Sequence, residues 1–308
     1  MEIDKKDIKL LYELINDSSQ TDTLLGTKLE LSGVSIRNRI NKLVKNGVIE
    51  KFVPQYQGEP FGMSSIYLVA LEKNYKDLLK KAKILGKPSH IIHCVGSIVV
   101  LGIIVKDSYE EKQEFANQLI NEGKAISVST SKTPGFNKII TKTELKILQS
   151  LIPDTQISND NLASMTGFSK KTVSRSLQNL KDNNILFSTI IWNPKKIENY
   201  VTFYLEISIQ NKIEQTVKKI SKKFSKSFLA SPMIFDNEVA LTMFANNVHE
   251  MDDIAEEIKE IENTSRVNVF IPKKIELIYD WFIEFVSESE RGPLHISKKS
   301  KHARNRFL

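Results

Sequence analysis

Ser32-Gly33-Val34-Ser35-Ile36-Arg37-Asn38-Arg39-Ile40-Asn41-Lys42-Leu43 is answered, 137 residues later, by Ser169-Lys170-Lys171-Thr172-Val173-Ser174-Arg175-Ser176-Leu177-Gln178-Asn179-Leu180. The offset holds without a gap for about sixty residues around this stretch, and a duplication of that length is a domain plan. In each copy a serine (Ser32, Ser169) stands where it can cap the first turn of a helix. Ile36, Ile40 and Leu43, or Val173, Leu177 and Leu180, then repeat at spacings of four and three, which defines a buried stripe. The opposite face holds Ser35, Asn38, Arg39 and Lys42 in copy one, and Thr172, Arg175, Ser176 and Asn179 in copy two. Arginine pairs with guanine edges, asparagine and glutamine with adenine, and hydroxyls with phosphate, so this inventory suits a DNA major groove. A merely solvated polar face is the competing reading of either helix alone.

Upstream, Asp4 to Ile15 carries Ile8, Leu11 and Ile15 at helical spacing, and Thr141 or Thr143 to Ile152 carries Leu145, Leu148 and Ile152, ended by Pro153. A second short helix is expected over about Thr23 to Leu31 and, after Ser158 as a cap, over Asn159 to Met165. Downstream, Gly47 through Tyr56 and Ile185 through Trp192 read as short strands. Helix, helix, capped basic helix and strand is the order of a winged helix-turn-helix, so the chain reads as a tandem nucleic-acid binder. The DNA-contacting set is expected to comprise Ser35, Arg37, Asn38, Arg39, Asn41, Lys42 and Lys45, with Lys170, Lys171, Thr172, Ser174, Arg175, Ser176, Gln178 and Asn179 in the second copy.

Each reader unit is followed by strand, helix, two strands, helix and strand. In copy one these are about Ser65 to Glu72, Tyr75 to Leu85, His90 to Val95, Ile98 to Val105, Tyr109 to Asn121 and Ala125 to Ser129. In copy two they are Val201 to Ile209, Ile213 to Phe224, Phe228 to Phe235, Val239 to Ala245, Val248 to Ile261 and Ser265 to Ile271. That order predicts a ferredoxin-like sheet with both helices on one face. The uncovered face needs a partner, and the other copy's sheet is the obvious one, giving an internal pseudo-dimer. The fold class is therefore α+β, with expected units at 1–62 (winged helix), 63–131 (ferredoxin-like), 132–137 (linker), 138–199 (winged helix) and 200–273 (ferredoxin-like). A C-terminal helix is expected over 274–290, packed on the second ferredoxin-like unit, and a basic tail over 291–308.

Composition narrows the classes. With 308 residues, 41% of them hydrophobic, the chain can bury several cores, and no apolar run is long enough to span a bilayer. The single Cys94 excludes an internal disulfide framework and a multi-thiolate metal site, which fits a reducing cytoplasm. Of the net charge of +7, six positive charges lie in 291–308 (Arg291, Lys298, Lys299, Lys301, Arg304, Arg306) without an acid, so basic character in the body is local to the third helices. His90 and His93, beside Cys94, are expected on opposite sides of a strand, so neither a metal nor a catalytic site is expected, nor a cofactor.

The pattern Ser32-x-x-Ser35-Ile36-x-x-Arg39-Ile40-x-x-Leu43-x-x-x-Gly47-Val48-Ile49, then Phe61-Gly62, then the ferredoxin-like unit, resembles the Lrp/AsnC family of transcription regulators in each half, over about 1–131 and 138–273. The resemblance implies double-stranded DNA as partner, dimers joined through the sheets, and an amino-acid effector near a turn that in this chain is Gly96-Ser97 in one half and Asp236-Asn237 in the other. Further homo-oligomers and a small-molecule effector follow from the same resemblance. Siroheme decarboxylases also resemble paired units of this kind, and a tetrapyrrole enzyme is one rival reading. A module whose winged helices bind proteins is the other.

Overall fold

The computed structural model describes residues 1–56, 61–106, 109–131, 140–183 and 185–291. The expected linker at 132–137, the tail beyond Arg291 and Asn184 thus lie outside the described residues.

Copy one begins with α1 (Lys5–Asn16), α2 (Asp22–Leu29) and α3 (Gly33–Lys45); copy two begins with α6 (Lys142–Ser150), α7 (Asn159–Thr166) and α8 (Lys170–Asp182). Polar caps start all six helices. Asp4 and Asp7 form a capping box at α1, as do Thr141 and Glu144 at α6. Ser32 and Ser169 accept the amide of the third helical residue of α3 and α8, and Thr21 plays that part for α2, which starts a residue before the expected span.

The strands that follow the third helices depart from the expectation of a separate wing in each copy. β1 (Ile49–Gln55) and β6 (Phe187–Trp192) pair antiparallel with each other from Ile49↔Trp192 to Gln55↔Phe187, with one register shift between Ile49 and Lys51. Each copy supplies only one β-rich run here, and a lone strand would leave its ladder donors and acceptors unmet. The partner from the other copy satisfies them. The exchange extends into the cores: Ile190 and Trp192 of copy two close the core of Leu10, Leu11, Leu14, Leu25, Ile36 and Leu43. Reciprocally, Tyr56, Phe61 and Met63 of copy one close the core of Leu145, Leu148, Leu162, Val173 and Leu180.

The first ferredoxin-like unit comprises β2 (Ser64–Leu71), α4 (Tyr75–Leu85), β3 (Lys87–Cys94), β4 (Ile98–Val105), α5 (Tyr109–Asn121) and β5 (Ser127–Ser131). The second comprises β7 (Val201–Ile209), α9 (Ile213–Phe224), β8 (Met233–Ile234), β9 (Glu238–Ala245), α10 (Val248–Lys259) and β10 (Thr264–Phe270). The sheet orders β5-β2-β4-β3 and β10-β7-β9-β8 are the same antiparallel arrangement twice. Gly96 and Ser97, both at positive φ, make the tight turn between β3 and β4 that the right-handed twist of a hairpin favours. The strand expected over Phe228 to Phe235 is reduced to two residues, because Pro232 has no N–H for a ladder. Leu229 and Ala230 still donate to the Thr242 carbonyl of β9.

The C-terminal segment corrects a second expectation. Residues 274–290 do not form one helix: β11 (Pro272–Leu277) runs antiparallel along β3, and α11 (Asp280–Arg291) follows. β3 would otherwise be an open sheet edge, and pairing with β11 satisfies its uncovered ladder. α11 then packs on α6 of the second winged helix, where Trp281, Phe282, Phe285 and Val286 are buried, and not on the second ferredoxin-like unit.

The helix-free faces of the two sheets meet. Val69, Cys94, Ile92 and Val100 of the first pack against Phe270 and Tyr204 of the second. Beside them, Ser127 donates to both carboxylate oxygens of Glu206 at 2.9 Å, and Ser129 donates to Glu206 and Glu238. Burial raises the Glu238 carboxyl above the usual range, against hydrogen bonds from Ser129 and Ser208. Among the described residues no helix is long and apolar enough to cross a membrane.

Candidate nucleic-acid interface

Both third helices bury the expected stripe and turn the opposite face outward. On α3, Ile36 and Leu43 are buried, and Val34, Arg37, Asn38, Asn41, Lys42 and Lys45 are exposed. On α8, Val173 and Leu180 are buried, and Lys170, Lys171, Thr172, Ser174, Arg175, Gln178 and Asn179 are exposed. Ser35 and Ser176 are half-buried.

Exposure alone overstates what each face can offer, because several of these side chains are already bound within the protein. Arg37 is paired with Asp22 of α2 at 2.7 Å. Lys170 meets Asp160 of α7 at 2.8 Å. Gln178 donates to Asp182 at 2.7 Å, and the Thr172 hydroxyl shares a 2.8 Å hydrogen bond with the capping Ser169. Asn179 donates to Glu144, a buried residue of the α6 capping box, at 2.5 Å. No ion pair or hydrogen bond is made by the side chains of Asn38, Asn41, Lys42, Lys45, Lys171 and Arg175 among the described residues.

Arg39 lies on the outward face read from the sequence, beside Ser35, Asn38 and Lys42, but it is half-buried and already bound. Its guanidinium bridges Asp7 at 2.6 Å and Asp4 at 2.8 Å, and its side chain is 26% exposed. The hydrogen bonds it donates to Asp7 and Asp4 raise its already high basicity. Asp4 is held below the usual carboxylate range: burial opposes ionisation, but bonds from the Asp7 amide and from Arg39 outweigh it. Arg39 is therefore a strut between α3 and the start of α1. Asn179 and Glu144 make the corresponding link between α8 and α6 one turn later along the helix. Asp4, Asp7 and Glu144 lie more than thirty residues before the side chains they hold, so helical spacing gave no sign of them. Val34, 72% exposed at the start of α3, was also missed, since an apolar residue off the buried stripe carries no charge signal.

The two turns implied as an effector site are not equivalent. Asp236 accepts from Tyr109 at 3.0 Å and from Thr130 at 3.1 Å. With Asn237 it lines a cavity of about 470 Å³ that also touches Gln113, Ser129 and Glu238. Gly96 and Ser97 are not among its lining residues.

His90 and His93 do lie on opposite sides of β3. The His90 ring sits over Gly102, 5.2 Å from the Tyr67 ring, on the face turned to the second sheet, and burial lowers its pKa to about 4. His93 faces Glu72 at 3.6 Å and Glu276 at 3.4 Å. Burial pushes the Cys94 thiol up to about 12, the opposite of what a reactive thiolate needs. Among the described residues no three His, Cys, Asp or Glu side chains are grouped to hold a metal ion.

The winged helix-turn-helix DNA-binding family model matches this chain at residues 3–50 and again at 140–186, the segments that form α1 to α3 and α6 to α8. The chain carries two winged helix-turn-helix modules within an α+β architecture. It resembles transcription regulators of helix-turn-helix type. It is 28% identical over 125 residues to an uncharacterised helix-turn-helix-type transcriptional regulator of Pyrococcus furiosus, a match covering 39% of this chain and 84% of that one. It is 37% identical over 57 residues to the helix-turn-helix-type transcriptional regulator LysM of Saccharolobus solfataricus, covering 18% of this chain and only 40% of LysM. Among solved structures, the siroheme decarboxylase NirDL aligns over 92% of this chain and 99% of its own at 14% identity and a TM-score of 0.47. Bacillus subtilis LrpC aligns over 46% and 99% at 23% identity and a TM-score of 0.29.

Proposed function

We propose that this chain is a sequence-specific transcription regulator in which the two halves act as an internal pseudo-dimer, α3 and α8 entering major grooves at the two parts of one operator. The observation that carries the reading is the pair of capped third helices, each with an outward face of unpaired amide, guanidinium or ammonium groups and, before Asp182, no carboxylate. Such groups hydrogen-bond base edges and neutralise phosphates. The reciprocal strand exchange between β1 and β6 supports a fixed relation between the readers, which a two-part site requires.

An effector, in this reading, acts at the cavity beside Asp236 and Asn237, between the two ferredoxin-like units. No catalytic role is assigned. The test is a pull-down of genomic DNA fragments by the purified full-length chain, followed by titration of the best fragment at two salt concentrations. Enrichment of a defined fragment with a steep salt dependence is the expected result. Binding that is weak and blind to sequence would overturn the reading, and a visible absorbance band retained through purification would favour a tetrapyrrole enzyme.

A further inference from the structure

The two third helices are equivalent in fold but not in what they leave free. At matched positions Asn38 stands against Arg175, and Val34 against Lys171. On α3 the free groups are the Asn38 and Asn41 carboxamides, flanked by the exposed apolar Val34, with Lys42 and Lys45 at the rim; the two arginines of that helix are held by Asp22 and by Asp4 and Asp7. On α8 the order is reversed. Its amides are engaged, Gln178 by Asp182 and Asn179 by Glu144, and Arg175 is the free planar donor, with Lys171 beside it.

Base chemistry distinguishes these inventories. A carboxamide pairs with adenine N6 and N7, an apolar side chain contacts the thymine methyl, and a guanidinium grips guanine O6 and N7. We infer that the two halves read different base pairs: α3 an A·T half-site through Asn38, Asn41 and Val34, and α8 a guanine-containing half-site through Arg175. The operator is then non-palindromic, and the chain binds it in one orientation. This rests on the regulator reading above and adds the identity of the bases. Arg39, held by Asp4 and the buried Asp7, contributes no guanine recognition to the first half-site.

The experiment is selection from a random double-stranded DNA library with the full-length chain, repeated with Arg175→Asn and Asn38→Ala, both at exposed positions outside any core. The expected consensus has one A·T-only part and one part with a fixed guanine. Arg175→Asn should weaken binding to the guanine by about 10- to 100-fold and shift that position toward adenine, leaving the other part unchanged. Asn38→Ala should relax only the A·T part. A palindromic consensus, or a guanine that survives Arg175→Asn, would overturn the inference while leaving the regulator reading in place. No enrichment of any sequence would overturn the regulator reading, and the inference with it.

Discussion

Replacing Arg39 by alanine separates a structural strut from a DNA contact. The side chain makes two charged hydrogen bonds, to Asp7 at 2.6 Å and Asp4 at 2.8 Å. Asp7 is buried, and with Arg39 gone it keeps the Asp4 amide at 3.1 Å but loses its counter-charge. Removing one partner of a buried pair costs about 3–5 kcal/mol, whereas an exposed pair is worth about 0–1 kcal/mol. Arg39 is partly exposed and Asp4 more so, which places the expected loss at about 2 kcal/mol. Urea unfolding followed by circular dichroism measures this loss. A cycle with Asp7→Asn should show the two effects to be coupled rather than additive. Titration of the selected duplex, under conditions where the variant is fully folded, should show affinity within a few-fold of the parent. A variant of unchanged stability whose DNA affinity falls about 100-fold would refute the strut and return Arg39 to the groove.

Further perturbations have equally definite outcomes. His90 has a folded pKa of about 4, below its unfolded value of about 6.5, so its contribution to stability is complete above pH 6.5 and is lost as pH falls toward 4. The loss is at most about 3 kcal/mol. In urea titrations between pH 7 and 4, His90→Gln should flatten that slope, and an unchanged slope would assign it to other groups. A Cβ at Gly102 would stand 2.2 Å from the His90 ring, so Gly102→Ala should cost about 1–3 kcal/mol, and His90→Ala in the same chain should recover part of it. Phe282 is fully buried against Tyr56 and Phe61, and Phe282→Ala should cost about 3–5 kcal/mol. If Phe282→Ala leaves the unfolding midpoint unchanged, α11 does not stabilise the second winged helix.

The elements that could be read from the sequence are those whose signals are local. Ser32 and Ser169 as caps, the Ile36 and Val173 stripes, and the strand and helix order after each reader needed only neighbours within a few turns. What escaped was set by partners distant in the chain. The residues of β1 announce a strand but not that its mate is β6 of the other copy, because alternation specifies a face and not a partner. Pro272 to Leu277 carries a short alternating run overlapped by the helical stripe of Ile275, Ile278 and Trp281, and the open edge of β3 decides between them. In the candidate interface, residue type identified the two helices correctly as elements. Which side chains remain free on them depended on Asp4, Asp7, Asp22, Glu144 and Asp160, contributed by the preceding helices and a cap, and for Gln178 on Asp182 of its own helix.

The central claim is that one chain carries two reading heads for one two-part site. Hydroxyl-radical footprinting of the full-length chain on its selected duplex, with the mass of the complex measured in parallel, tests it most directly. The account expects one chain per duplex and two protected segments of different sequence, centred about 10 base pairs or a multiple of that apart. A single protected segment, or two chains needed to protect two identical segments, would contradict it.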